Sequence, residues 1–174
     1  PVWADECEIE KIVASCRRRL ARLIGADDPR QVAFFSNGTT ALNAAIFGLL
    51  RPGDRVVTTA IEHNSLLRPV ESLRFDANLS LEIVPCDESG RVDPQAILDR
   101  VTRQTRLVAV SNASYVTGAV QDIATLGKAL RGTETRLLTT WLFGSVTSAS
   151  IVRIWLTGLS AIVAGTETVS LPAA

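Results

Sequence analysis

The chain has 174 residues, 47% hydrophobic and 21% charged, enough for one domain with a real core and unlike a disordered segment. Its 18 basic residues balance its 18 acidic ones, so charge gives no ground for expecting nucleic acid or an anionic membrane as partner. Three cysteines, Cys7, Cys16 and Cys86, with no CxxC spacing argue against a disulfide framework or a zinc site, and fit idle thiols in a reducing cytoplasm.

The N-terminal Pro1-Val2-Trp3-Ala4-Asp5-Glu6 is acidic and does not read as a signal peptide. With no methionine in the sequence, a fragment or a processed form is expected. Residues 8–24 place Ile9, Ile12, Val13, Leu20 and Leu23 at helical spacing, and Gly25 ends the helix. Its run Arg17-Arg18-Arg19 reads as a solvated face. Residues 31–36 (QVAFFS) form a short apolar run and read as a buried strand, broken by Asn37-Gly38. Residues 39–50 read as a helix capped by a threonine.

Arg51-Pro52-Gly53-Asp54 is a turn, residues 55–60 (RVVTTA) a strand, 65–73 a helix and 79–85 a strand. Asp93-Pro94 signals a helix start, with Asp as cap and Pro at the first helical position, and that helix is expected to run to about residue 102. Residues 105–111 (TRLVAVS) are a continuous apolar strand, as expected where both faces are covered. A helix over 123–130 and a strand from 135 to 138 follow. Strands alternating with helices imply an α/β fold: a mainly parallel sheet with right-handed crossover helices.

All but two of the charged side chains, Arg153 and Glu167, lie in residues 1–138, which sets off residues 139–174 as an apolar tail. The stretch 141–164 is about long enough for a membrane span. Arg153 in its middle, where a charge costs at least ~2.5 kcal/mol, and the interspersed Ser, Thr and Gly weigh against one. An irregular or poorly folded tail is the expectation.

Parallel sheets bind ligands beyond the carboxyl ends of their strands, so the informative residues follow each strand. The first such place is Ser36-Asn37-Gly38-Thr39-Thr40-Ala41, where a strand passes through a glycine turn into a helix start. Free N–H groups and the helix dipole favour an anion there, Gly38 allows close approach, and Thr39 and Thr40 offer hydroxyls. Taken by itself the segment reads first as a plain capped helix with no ligand. It lacks the Gly-Lys-Thr of a nucleotide-hydrolysing loop. The second place is Glu62-His63-Asn64. His63, the only histidine in the sequence, suits ring stacking or proton transfer near neutral pH, or is a plain surface histidine. The third is the Asn112–Gly118 loop, polar and glycine-ended, either lining a site or simply joining a strand to a helix.

In this order and spacing the three places resemble the class V aminotransferases and, within them, the cysteine desulfurases. The resemblance rests on FFSNGTTALNAAIFGLL, RPGDRVVTTAIEHNS and ESGRVDPQAILDRVTRQTRLVAVSNASYVTGAVQDIATLGKAL, and covers roughly residues 19–138. It implies part of the large domain of a pyridoxal-phosphate-dependent transferase over residues 1–138, with residues 139–174 outside the pattern. Gly38, Thr39 and Thr40 match the loop that holds the phosphate of pyridoxal phosphate. His63 matches the histidine that stacks on the pyridine ring and helps move a proton.

Tyr115 falls where the family has an asparagine near the ring hydroxyl, and Asn112 where it often has a histidine. The family aspartate that keeps the pyridine nitrogen protonated, and the glutamine three residues on, fall at Thr140 and Phe143. The Ser-x-His-Lys segment that supplies the Schiff-base lysine has no match. The lysines present, Lys11 and Lys128, lack that context.

The resemblance therefore implies a cysteine desulfurase-like protein, truncated and inactive as it stands. Its ancestral reaction would be the removal of sulfur from L-cysteine, giving alanine and a cysteine-bound persulfide. A frameshift or rearrangement near codon 139 is the expected cause. The family also implies a small amino-acid substrate and a homodimer. The alternative is a non-catalytic binding module, or a fragment that pairs with an intact paralogue.

Overall fold

The computed structural model describes residues 2–142, 149–156 and 159–166, with side chains described from Cys7 to Thr140. Helix α1 (Val2–Ile24) precedes a short 3-10 turn (Pro29–Gln31) and strand β1 (Val32–Phe35). Then follow α2 (Gly38–Leu49), β2 (Arg55–Thr59), α3 (Asn64–Asp76), β3 (Ser80–Val84), α4 (Pro94–Leu98) and β4 (Thr105–Ser111). The remaining elements are α5 (Ile123–Ala129), β5 (Arg136–Leu142), β6 (Ala149–Leu156) and β7 (Leu159–Thr166).

The seven strands form one sheet in the order β1-β7-β6-β5-β4-β2-β3. Pairs β2–β3, β2–β4, β4–β5 and β1–β7 are parallel, and only β6 runs against its neighbours. The expected mainly parallel α/β sheet is therefore present.

Each face of the sheet has its own core. Along β4 and β5, Leu107, Ala109 and Leu138 pack under α2 and α3 with Ile46, Leu66 and Val70. Val108, Val110 and Leu137 pack on the other face with Ile97 of α4 and Leu126 of α5. Alternation along a strand puts successive side chains on opposite faces. Strand β4 feeds both cores and is buried from Leu107 to Ser111, which explains its unbroken apolar run.

Three expectations need correction. Helix α2 is capped by Asn37 and not by a threonine: Asn37 Oδ1 accepts from the Thr40 N–H at 2.8 Å, so the helix begins at Gly38. A short amide side chain in extended backbone reaches the third N–H of the helix, the geometry preferred at a cap. Helix α4 stops at Leu98 and does not reach residue 102. The Thr102 N–H donates to Thr105 Oγ1 at 2.9 Å, and this turn delivers the chain into β4.

The third correction concerns the tail, which was expected to be irregular. Residues 149–156 and 159–166 are strands that join β5 to β1. Thus β5 and β1, otherwise bare edges, each gain a partner. The tail's Ser, Thr, Val and Ile have the β-branched, small character that a pleated ladder accepts. Within the stretch weighed as a membrane span, Arg153 stands in β6 in register with Thr139 and Ile162. Among the described residues no helix is long and apolar enough to cross a membrane.

Candidate functional site

The three segments singled out in the sequence all follow carboxyl ends of strands: β1, β2 and β4. Parallel topology brings those ends to one edge of the sheet. At that edge the first turn of α2 carries exposed Thr39 and Thr40 beside half-buried Gly38. Asn37 satisfies the Thr40 N–H, and Asn37 Oδ1 also accepts from the Thr40 hydroxyl at 3.0 Å. The N–H groups of Gly38 and Thr39 belong to the helix start, where no preceding turn supplies an acceptor, so this end suits an anion.

His63 caps α3. Its Nδ1 accepts from the Ser65 N–H at 3.0 Å and lies 2.7 Å from Ser65 Oγ. With Nδ1 serving as acceptor, the neutral ring carries its proton on Nε2. A groove of about 410 Å³ runs between α2 and α3, lined among others by Thr39, Asn43, Phe47, His63 and Arg68. Thr39 and His63 therefore border one space. A histidine and a cationic guanidinium across from a helix start make that space favourable to an anionic ligand.

The third segment contributes one ring. Tyr115, exposed, stands edge-on to His63 with centroids 4.8 Å apart and an interplanar angle of 78°. Ser114 and Thr117 are spent on the loop itself. Ser114 is buried, and its Oγ accepts from the N–H groups of Val116 and Thr117 at 3.3 and 3.2 Å. The Gly118 N–H donates to the Ser114 carbonyl at 2.9 Å, and Gly118 has φ +74°. The expectation that this loop lines a site thus narrows to Tyr115 at its tip.

One residue at this edge was given no role in the sequence reading. Glu62 is 5% exposed, the only buried carboxylate among the described residues. Its Oε1 accepts from the Thr59 hydroxyl at 2.6 Å and the Ser111 N–H at 2.8 Å, while Oε2 accepts from Ser111 Oγ at 2.6 Å. Burial raises its pKa, and the hydrogen bonds from Ser111 and Thr59 oppose that rise without cancelling it. Nothing in the linear sequence marks Glu62 as buried, because acids in turns are exposed by default.

The two lysines are not among the residues that line the groove. Lys11 lies exposed on α1, 3.7 Å from Glu8. Lys128 lies in the last turn of α5, which leads from the carboxyl end of β4 towards the amino end of β5. Among the described residues there is also no cluster of His, Cys, Asp and Glu that could hold a metal ion.

A mainly parallel sheet thus carries, at its carboxyl edge, a helix start suited to an anion and a histidine on the same groove. Residues 5–139 match the model of the family described as aminotransferase class-V, and the chain belongs to that family. It is 35% identical over 113 residues to a probable cysteine desulfurase of Pseudomonas putida, a match covering 63% of this chain and 28% of that protein. It is 30% identical over 128 residues to the cysteine desulfurase IscS of Pseudoalteromonas translucida, covering 71% of this chain and 31% of that one.

Among solved structures, DndA of Streptomyces lividans matches with a TM-score of 0.77 and 27% identity over 81% of this chain and 40% of its own. A C-DES variant solved with glycine covalently linked to its PLP cofactor shares the fold, at TM-score 0.68 and 22% identity over 78% of this chain and 37% of its own. The chain thus spans about a third of the relatives it matches.

The residues present fit part of the group this family uses. The start of α2 suits a phosphate, and His63 offers a ring face beside it. For a covalent tether, neither lysine lines the groove.

Proposed function

We propose that these residues form the phosphate end and one ring face of a pyridoxal-phosphate site in a cysteine desulfurase-like protein, and that by themselves they do not carry out desulfuration. The supporting observation is the shared groove: Thr39 at the start of α2 and His63 at the start of α3 line the same 410 Å³ space. Gly38, Thr39 and Thr40 hold the phosphate through helix-start N–H groups and hydroxyls. His63 stacks on the ring, and its Nε2 holds or moves a proton. Tyr115 stands edge-on against that imidazole.

When bound, pyridoxal phosphate supplies an electron sink for the carbon skeleton of an amino acid. The inactive reading rests on Thr140, which carries no charge where the family pattern has an aspartate, and on the two lysines, neither of which lines the groove. The substrate of the complete family site would be L-cysteine. The change of pattern after residue 138 is read as a shift of reading frame, which translation of the downstream nucleotides in the other frames checks.

The test is a titration of the purified chain with pyridoxal phosphate, followed by borohydride and mass spectrometry. Saturable binding competed by inorganic phosphate, with no adduct at a defined lysine, is expected. A stoichiometric pyridoxyl adduct at Lys11 or Lys128 would overturn the inactive reading. Absence of phosphate-competed binding would overturn the site itself.

A second reading is a non-catalytic module that pairs with a full-length relative. The outer face of α1 favours it, since Ile9 and Ile12 are 60% and 61% exposed and Leu23 is 73% exposed. Co-purification of the chain with a tagged full-length relative supports this reading, and a solitary monomer in their mixture dismisses it.

A further inference from the structure

Helix α1 presents two apolar faces. The inner one is used within the chain: Ala21 and Ile24 are buried with Val32 of β1, and Leu20 and Phe34 pack against them. Arg17 locks that contact. Its Nε donates to the Val32 carbonyl at 3.1 Å, and its guanidinium carbon stands 5.4 Å from the centre of the Phe34 ring. Within the run Arg17-Arg18-Arg19, read from the sequence as a solvated face, Arg17 instead fixes the rotation of the helix about its axis.

With that rotation fixed, a second stripe faces outward. Ile9, Cys16 and Leu23 stand seven residues apart and are exposed, and exposed Ile12 and Val13 fill the interval between the first two. Seven residues make almost two whole turns, so this is the spacing of helices that pair along a seam.

The charges of α1 indicate what covers that seam. Exposed Glu8 and Glu10 lie towards one end, and exposed Arg18, Arg19 and Arg22 towards the other. Lys11 offsets part of the acidic end, 3.7 Å from Glu8. Glu8 and Arg22 each precede a seam residue, Ile9 and Leu23, and so lie on the same flank of the stripe. In an antiparallel pair that flank faces its own copy. Glu8 of one copy then meets Arg22 of the other, twice about a two-fold axis. A parallel pair would set acidic end beside acidic end and basic end beside basic end.

We infer that the outer stripe of α1 is a self-complementary docking surface that pairs, antiparallel, with the same stripe of a second copy of this chain. Glu8 stands opposite Arg22 across a two-fold axis near Ser15. The pairing is independent of what the groove between α2 and α3 binds. Two heptads make a short seam, below the area of a permanent interface, so the pair forms and dissociates with concentration.

The experiment is sedimentation velocity on the purified full chain at roughly 1 µM to 1 mM, where monomer should pass to dimer. Ile12→Lys puts a charge into the seam and should abolish the dimer, with the circular dichroism spectrum unchanged. Glu8→Arg and Arg22→Glu each turn two attractions into two repulsions, and each should weaken the dimer roughly tenfold. Mixing these two variants should restore it, because each then carries the charge that the other lacks. Charge reversals without effect, or no recovery on mixing, would overturn the inference. So would a chain that stays monomeric throughout, or one that pairs only with a full-length relative.

A second arm reads the orientation from spin labels outside the seam, at Cys7 or at Arg18→Cys, in chains carrying Cys16→Ala and Cys86→Ser. About the proposed axis the two Cys7 labels lie about 24 Å apart along the helices and the two Arg18→Cys labels about 9 Å apart. The Cys7 distance should therefore be the longer one. Equal distances at the two positions mean parallel helices and would overturn the antiparallel pairing.

Discussion

Tyr115 meets His63 edge-on, with ring centroids 4.8 Å apart and planes at 78°, and this contact ties the loop after β4 to the start of α3. Such a pair is worth about 0.5–1.5 kcal/mol beyond area burial, and the exposed position of Tyr115 puts it at the lower end. Tyr115→Ala should lower unfolding stability by under ~1 kcal/mol. It should also shift the His63 ring-proton resonances, which the tyrosine ring current now perturbs. Unchanged His63 resonances would mean that the contact does not persist in solution.

The cap of α2 separates stability from anion binding. Asn37→Ala removes the acceptor for the Thr40 N–H and should cost about 1 kcal/mol in urea unfolding. Asn37→Asp keeps an acceptor and so should keep most of that stability. Its carboxylate, however, repels an anion at the same helix start. Calorimetry with inorganic phosphate should therefore show weaker binding to Asn37→Asp than to wild type, with no matching loss of fold.

Burial holds the Glu62 pKa above its ordinary value of 4.5, so in the pH interval between the two values the folded state binds more protons than the unfolded. The contribution of Glu62 is then fully present below the unfolded value and is lost as pH rises through the folded one. Glu62→Gln keeps an acceptor for Thr59 and Ser111 but cannot ionise. The wild-type urea midpoint should fall relative to that of Glu62→Gln as pH rises through this window, and parallel curves would contradict the shift.

Gly90 has φ +79°, and a Cβ there would meet Thr117 Oγ1 at 2.6 Å. Gln121 fixes the same segment: its Nε2 donates to the Gly90 carbonyl and its Oε1 accepts from the Val92 N–H, both at 2.9 Å. Gly90→Ala should cost roughly 1–3 kcal/mol from backbone strain, plus the clash. Adding Thr117→Gly should recover the clash but not the strain, which paired thermal melts can resolve.

Much of the fold was legible because strands and helices were each marked by their own chemistry. The apolar run over residues 105–111 became β4 with the same bounds. Asp93-Pro94 became the cap and first residue of α4. Gly25, with φ +66°, closes α1 as expected. The errors came where a local signal had two readers. Thr39 and Asn37 are both good caps, and only the path of the chain out of β1 decides for Asn37. The tail showed no period, and its place as β6 and β7 is given by backbone pairing with β5 and β1, which a side-chain pattern does not report.

The sequence by itself determined the alternation of strands and helices, and with it a mainly parallel sheet whose informative residues follow its strands. It also named Gly38, Thr39 and Thr40 as candidates for an anion cradle, and singled out His63. Tertiary structure decided which of these share a space. It set Thr39 and His63 on one groove, turned Tyr115 onto His63 and spent Ser114 on its own loop. It alone joined Glu62 to Ser111 and Thr140, residues 49 and 29 positions apart in the two bonded pairs. The reason is physical: a hydroxyl or a carboxylate has no fixed role until burial removes water and leaves it a single set of partners.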